Sequence, residues 1–318
     1  MATTSTNEVA LARRSWPGIA SLSCVPPDLT ELRDLLTRHA GQTALDGVTV
    51  LSSTTPSEPM TGLISPTLVV VAQGSKCTTI ADQVLTYGAG DYLIVSLDLP
   101  VVAHVEQASR RSPYLVVGVP LRSELIAELV LHLPSRAVQE GQGFAVGHVA
   151  GDLLDPLVRL LRLLDRPADI PVLAAGIERE LVWRLLTGEQ GPTVQAIGLS
   201  DSGLARIGRA ISWIRANYTD LFRVEDAARV AGMSATSFHR HFRTATTMSP
   251  LQFQKQLRLQ EARTRLLADP HGVAEVGFAV GYESVSQFTR EYRRLFGLPP
   301  GQDALRLRQV PPASRQPI

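Results

Sequence analysis

The chain has almost no cysteine: its 318 residues contain two, Cys24 and Cys77. Two thiols exclude a disulfide framework and do not supply the four-ligand set of a structural zinc centre. A reducing compartment, the cytoplasm, is the expected setting. No apolar run reaches the ~20 residues that cross a bilayer, so no membrane partner is expected. Residues 1–20 lack the apolar centre of a signal peptide and are expected to form a loose tail. Aromatic residues are scarce at 5%, yet 44% of the chain is hydrophobic, as in a soluble globular protein. Excess charge is also lacking, with a net of only +1. That argues against a nucleoid-type binder without sequence preference, whose affinity would be mostly electrostatic. The charge is unevenly spread, however. Residues 199–308 carry 16 Lys and Arg against 10 Asp and Glu, and the remainder carries 15 against 20. A basic C-terminal part beside an acidic N-terminal part points to a polyanion partner for the former.

What the chain does have is a statement made twice. Ser234, Phe238, Arg240, Phe242, Arg243 and Pro250 are echoed fifty positions later by Ser284, Phe288, Arg290, Tyr292, Arg293 and Pro300. Ala227 and Val230 are matched by Gly277 and Val280. A repeat at fixed period is one supersecondary unit used twice. In the first copy Glu225–Ala231 reads as a short helix, Gly232 as a tight turn and Ser234 as an N-cap. Phe238 and Phe242, four apart, share an inward face. Thr236, His239, Arg240 and Arg243 are left outside. In the second copy Gly281 turns, Ser284 caps, and Phe288 with Tyr292 face inward. Val285, Ser286, Thr289, Arg290 and Arg293 are left outside. A short helix with an apolar inner face and Arg, His and Thr opposite suits a DNA major groove. Two plain helical hairpins of a bundle would not need arginine at matched outward positions. Arg240 and Arg290 are the candidate base readers, and Arg243, Arg293 and Arg294 the candidate phosphate contacts.

The rest of the chain falls into two textures. Residues 28–39 read as a helix. From Gly47 to Val119, short apolar runs (48–51, 68–72, 77–80, 84–87, 92–95, 101–105 and 114–119) are separated by Gly, Asp and Pro. That pattern predicts an antiparallel sandwich or barrel. Helices are expected at 121–133, 152–165 and 170–187, with a strand at 144–149. The two later helices are leucine-dense; they either pad the barrel or form a homodimer seam. Gly188–Gly198 reads as a linker. Leu204–Tyr218 opens the C-terminal unit. Ser249-Pro250 starts a helix of roughly 20 residues, ~30 Å long, close to the ~34 Å of one DNA turn.

The segments Ala228–Ser234, Phe238–Phe242, Met248–Pro250, Arg258–Arg263, Val280–Ser284, Phe288–Tyr292 and Phe296–Pro300 together resemble the DNA-binding domain of AraC/XylS-type transcriptional regulators. Leu68–Ser75, Asp91–Pro100 and Pro113–Val119 resemble the N-terminal, cupin-like domain of that family. The resemblance implies an α+β chain: a cupin-like jelly-roll barrel with flanking helices, then an all-α domain with two helix-turn-helix motifs. The implied organisation is a 1–20 tail, a 21–150 effector domain, a 151–198 helical dimerisation segment and linker, a 199–310 DNA-binding domain and a 311–318 tail. It also implies a sequence-specific, cytoplasmic, homodimeric regulator of promoter DNA, with a small-molecule effector and RNA polymerase as further partners. The family's reading positions fall on Thr236, His239, Arg240, Val285, Ser286, Thr289 and Arg290. Thr247 stands where the family usually has glycine, which is expected to alter how the first reading helix ends. Gly277 stands where alanine is usual, which is expected to loosen a short helix.

The alternative is a ligand-binding or enzymatic cupin with an accessory DNA-binding part. Metal-binding cupins carry His-x-His, then Glu and a later His. Here His104 is alone in its strand, with Glu106 two residues on, so no metal, no cofactor and no catalytic residue are expected. No local sign of a Ser/His/Asp nucleophile is present either. His104 and Glu106 alternate onto one strand face and are candidates for effector contact. Cys77 is a third candidate, as a half-buried thiol or as a sensor whose pKa Lys76 would lower if it were near.

Overall fold

A computed structural model describes residues 28–41, 43–134, 142–199, 202–268 and 272–308. The two expected tails and Cys24 lie outside these residues. Helix α1 (Thr30–Arg38) precedes strands β1 (Thr49–Ser53), β2 (Met60–Ile64), β3 (Thr67–Gln73), β4 (Ser75–Ile80), β5 (Gln83–Gly88), β6 (Asp91–Val95), β7 (Leu99–Gln107) and β8 (Tyr114–Pro120). Then come α2 (Ser123–Val130), β9 (Phe144–His148), α3 (Gly151–Arg162), two 3₁₀ turns, α4 (Ile170–Thr187) and α5 (Gly191–Gly198). Among the described residues the strands form two antiparallel sheets, β1-β8-β3-β6-β9 and β2-β7-β4-β5.

Strands β3 and β8 are apolar at nearly every position because both faces of their sheet are covered. Leu68, Val70, Ile94, Leu115 and Val117 face the helices and join α1, α3 and α4 in one core. Val69, Val71, Leu93, Val95 and Val116 alternate to the other side and meet Ile80, Tyr87 and Val101 of the second sheet. The leucines of α3, among them Leu157 and Leu160 at 0% exposure, are spent on padding the sheet. The large apolar side chains that α4 leaves in solvent are Val172 and Leu173.

Two elements differ from the sequence expectation. Most of the run 188–198 is a helix, Gly191–Gly198, after a three-residue turn: Pro192 sits in the first turn of α5, and Val194 and Ala196 are buried in the cores on either side. Burial overrides the Gly/Pro/Gln composition there. Strand β2 has no counterpart in the apolar runs, since Met60-Thr-Gly-Leu-Ile lacks alternation. It pairs only with β7, at the edge of its sheet.

The remaining helices are α6 (Gly203–Ala216), α7 (Val224–Val230), α8 (Ala235–Thr246), α9 (Pro250–Ala268), α10 (Val273–Ala279), α11 (Val285–Phe296) and α12 (Pro300–Arg308). The first half of this domain, from Leu204 to Leu257, shares one apolar cluster with the sandwich interior through Leu97, Phe144 and Ala196. The second half, built on Leu259, Leu266, Phe288 and Tyr292, has a cluster of its own. Polar ties also cross between barrel and helices. Gly143 N–H donates to the Ala245 carbonyl at 2.8 Å, Arg215 pairs with Asp98, and Arg306 pairs with Glu58.

Candidate DNA interface

Each helix pair is built as its sequence requires. Ser234 Oγ accepts the Ser237 N–H, and fifty residues on Ser284 Oγ accepts the Gln287 N–H. Phe238 and Phe242 are fully buried, and Phe242 meets Phe253 of α9 edge-on at 5.5 Å between centroids. Phe288 and Tyr292 are likewise fully buried in the second copy, where Phe288 is tilted against Tyr282 and meets Tyr292 edge-on. Because a helix turns 3.6 residues at a time, fixing these faces inward fixes the opposite faces outward. Thr236, His239, Arg240 and Arg243 are exposed on α8; Ser286, Arg290, Arg293 and Arg294 are exposed on α11, where Val285 and Thr289 are half-buried.

Two groups of basic residues in this domain contrast. Inside, Arg258 donates to the backbone carbonyls of Tyr218, Thr219, Asp220 and Gly281, fastening both motifs to α9. Lys255 binds Glu291, and Arg263 binds Asp303. Burial works against the Glu291 carboxylate, but hydrogen bonds from Lys255, Tyr282 and Gln287 outweigh it and hold its pKa below the ordinary range. Outside, none of Arg240, Arg243, Arg290, Arg293 or Arg294 has a carboxylate partner among the described residues; Arg240 lies 3.3 Å from the His241 ring nitrogen.

The spacer between the copies is a single helix. Ser249 and Gln252 cap α9 reciprocally: the Ser249 N–H donates to Gln252 Oε1 and the Gln252 N–H to Ser249 Oγ. Its 19 residues give ~28 Å at ~1.5 Å each.

Both departures from the family pattern have a physical reading. Helix α8 ends on Thr247 at φ 62°, and α11 ends on Gly297 at φ 79°; in each case the left-handed residue's N–H closes the last turn on an arginine carbonyl, Arg243 or Arg293. Thr247 therefore does what glycine would, and its hydroxyl reaches the Thr246 carbonyl at 2.6 Å and the Ile80 carbonyl of the barrel at 3.3 Å. Gly277 does not unravel α10. It sits against Phe288, whose Cδ1 would be 2.9 Å from any added Cβ.

The turn glycines are not equivalent. At Gly281 (φ 89°) an added Cβ would fall 2.3 Å from the Thr219 carbonyl oxygen; at Gly232 (φ 61°) the nearest atom is the movable Arg206 guanidinium at 3.3 Å. Gly281→Ala is expected to cost about 2–3 kcal/mol and Gly232→Ala only about 1 kcal/mol. Equal losses in urea unfolding would contradict a turn closed by that carbonyl.

The three candidate effector residues also come together. Cys77 pairs across the sheet with His104. Ligand atoms of Cys77, His104 and Glu106 all lie within 4.8 Å of one another. Lys76 is not the neighbour the sequence suggested: strand alternation sends it to the buried inner face, so it does not lower the Cys77 pKa. Burial, then the Glu106 charge, push the thiol pKa up; burial brings Lys76 down to about 8. A feature with no local sequence sign is a cavity of about 360 Å³ between the edge strand and the DNA-binding helices, lined by Met60, Leu63, Tyr218, Leu257, Gln260 and Arg263 among others. Its walls are some 200 residues apart in the chain, and one of them is the strand that showed no alternation.

A β-sandwich joined to a duplicated helix-turn-helix domain defines a ligand-domain, DNA-binding-domain regulator. Residues 44–193 match the sequence model of the AraC-type transcriptional regulator N-terminus, and residues 227–305 match that of a helix-turn-helix domain. The chain belongs to the AraC family of transcriptional regulators. It is 24% identical to the HTH-type transcriptional regulator ExsA of Pseudomonas aeruginosa, over 73% of this chain and 84% of that one. It is 23% identical to the transcriptional activator RhaS of Salmonella arizonae, over 75% and 86%. Unsaturated fatty acid bound ToxT from Vibrio cholerae shares the fold at TM-score 0.53 and 9% identity, covering 83% of this chain and 95% of that one. No helix among the described residues is long and apolar enough to cross a membrane.

Proposed function

We propose that α8 and α11 are the reading helices and that they enter successive major grooves on one face of promoter DNA. Arg240 and Arg290 contact base edges, helped by Thr236, His239, Val285, Ser286 and Thr289. Arg243, Arg293 and Arg294 hold phosphates. The observation that carries this is the set of arginines that have no carboxylate partner among the described residues on the outward faces of a duplicated helix pair, while Lys255, Arg258 and Arg263 within are engaged. Hydroxyl-radical footprinting on the cognate promoter should give two protected patches one helical turn apart on the same face. One patch only, or equal protection of unrelated DNA, would defeat the reading.

The regulator is taken to be cytoplasmic and non-enzymatic, to act as a homodimer and to engage RNA polymerase at its promoters. Val172 and Leu173, exposed on α4, support a helix-mediated dimer seam; sedimentation as a monomer at all concentrations would remove it. The effector is placed not at Cys77, His104 and Glu106 but in the cavity beside β2. A small molecule there touches both domains at once and so biases how the reading helices are presented. The fatty acid bound by ToxT supports a ligand-responsive member of this fold. A ligand whose binding is indifferent to Leu63→Trp, which fills the cavity, would place the effector elsewhere.

A further inference from the structure

The outer face of the second sheet carries a donor set that the regulator reading does not use. We propose that Cys77, His104 and Glu106 form a binding site for one divalent cation of the zinc class, with thiolate, imidazole and carboxylate as ligands and a fourth position open.

The donors decide the class of ion. A thiolate beside an imidazole disfavours Mg²⁺ and Ca²⁺, which take oxygen ligands, and suits Zn²⁺, Co²⁺ or Ni²⁺. The backbone supplies the placement. Cys77 on β4 and His104 on β7 are directly paired across the sheet, and Glu106 follows His104 by two residues and so shares its face. Their ligand atoms already lie within 4.8 Å of one another. A tetrahedral ion with ligands ~2.0–2.3 Å away needs donors roughly 3.3–3.8 Å apart. The exposed Glu106 and half-buried His104 close that difference by side-chain rotation, while buried Cys77 stays fixed in the sheet. The ion enters from the exposed Glu106 side.

The surroundings fit the same ion. Thr86 is the other cross-strand partner of Cys77, and Thr79 follows Cys77 by two residues on the same face, so two hydroxyl side chains flank the thiol. Such outer-shell contacts orient a metal ligand. A +2 ion balances one thiolate and one carboxylate. The two strands come from positions 27 residues apart, which is why no spacing motif announces the site. The same sheet face carries Thr61, opposite Val102, and Thr61 accepts a hydrogen bond from Arg263 of α9 at 3.0 Å.

The test is a Co²⁺ titration of the purified full chain, followed by Zn²⁺ competition. Expected are one ion per chain, a thiolate-to-cobalt charge-transfer band and tetrahedral d–d bands. Cys77→Ser should abolish the charge-transfer band and Cys24→Ser should keep it. His104→Ala, at a half-buried position, and Glu106→Gln, at an exposed one, should each weaken Zn²⁺ binding at least tenfold. No charge-transfer band in the wild-type chain overturns the proposal. So does a band that survives Cys77→Ser, or Zn²⁺ affinity unmoved by both other variants. Should Cys77→Ser fold poorly, the His104 and Glu106 variants decide alone.

Discussion

Asp303→Ala should destabilise the second helix-turn-helix by about 3–5 kcal/mol, the cost of removing one partner from a buried ion pair. Asp303 is wholly buried and Arg263 nearly so. The two meet through parallel hydrogen bonds, Nε to Oδ2 at 2.8 Å and Nη2 to Oδ1 at 3.1 Å. Tyr292 donates its hydroxyl to the same carboxylate at 2.9 Å, and burial, then the Asp303 charge, push the tyrosine pKa well above its usual value. The Arg263 guanidinium also lies over the Phe296 ring, 4.5 Å from its centroid. Alanine at 303 strands a guanidinium and a phenol in an apolar cluster that is small to begin with. Urea unfolding should show the lost stability, with near-ultraviolet dichroism reporting the Tyr292 environment. An unchanged midpoint would mean that the pair contributes nothing net. Because Arg263 also holds Thr61 of the barrel, the variant should loosen the interdomain cavity as well.

The second large effect falls on DNA. Arg240→Ala and Arg290→Ala should each weaken binding to the cognate site by about 1–3 kcal/mol, roughly 5- to 150-fold, and relax discrimination at the bases they contact. Neither arginine holds the fold, since neither has a carboxylate partner among the described residues, so thermal stability should stay within about 0.5 kcal/mol of wild type. Arg293→Ala, read as a phosphate contact, should instead weaken all sequences alike and flatten the salt dependence by about one unit of slope. Wild-type affinity and specificity in both base-reading variants would sink the assignment. A uniform loss across sequences would reassign Arg240 and Arg290 to the phosphates.

Much of this was legible in the order of residues because it depends on local periodicity. Phe238 with Phe242, and Phe288 with Tyr292, orient their helices without reference to any distant part of the chain. Ser234 and Ser284 cap within three residues. The fifty-residue echo even covers Thr247 and Gly297, two unlike residues in the same left-handed role. What escaped depends on packing between distant segments. Strand β2 is specified by β7 and not by its own alternation; α5 is specified by the two cores that take Val194 and Ala196. Lys76 and Cys77 are neighbours in sequence and lie on opposite faces in space, whereas Cys77 and His104 are the reverse. Asp303, a single acid in a short terminal helix, gains its importance only once Arg263 and Tyr292 close around it.

The two reading heads are anchored differently. The first is fused to the sandwich through a common interior, so it travels with that body as one piece. The second is a satellite on the far end of α9, with an interior of its own. Amide exchange should accordingly report two opening units rather than a barrel and a DNA-binding domain, with the division falling partway along α9, between Leu257 and Leu259. The second head is tied to the barrel by polar contacts, among them Arg263 to Thr61 and Arg306 to Glu58; an effector that broke them would free the satellite to swing, and operator spacing is the quantity it would tune.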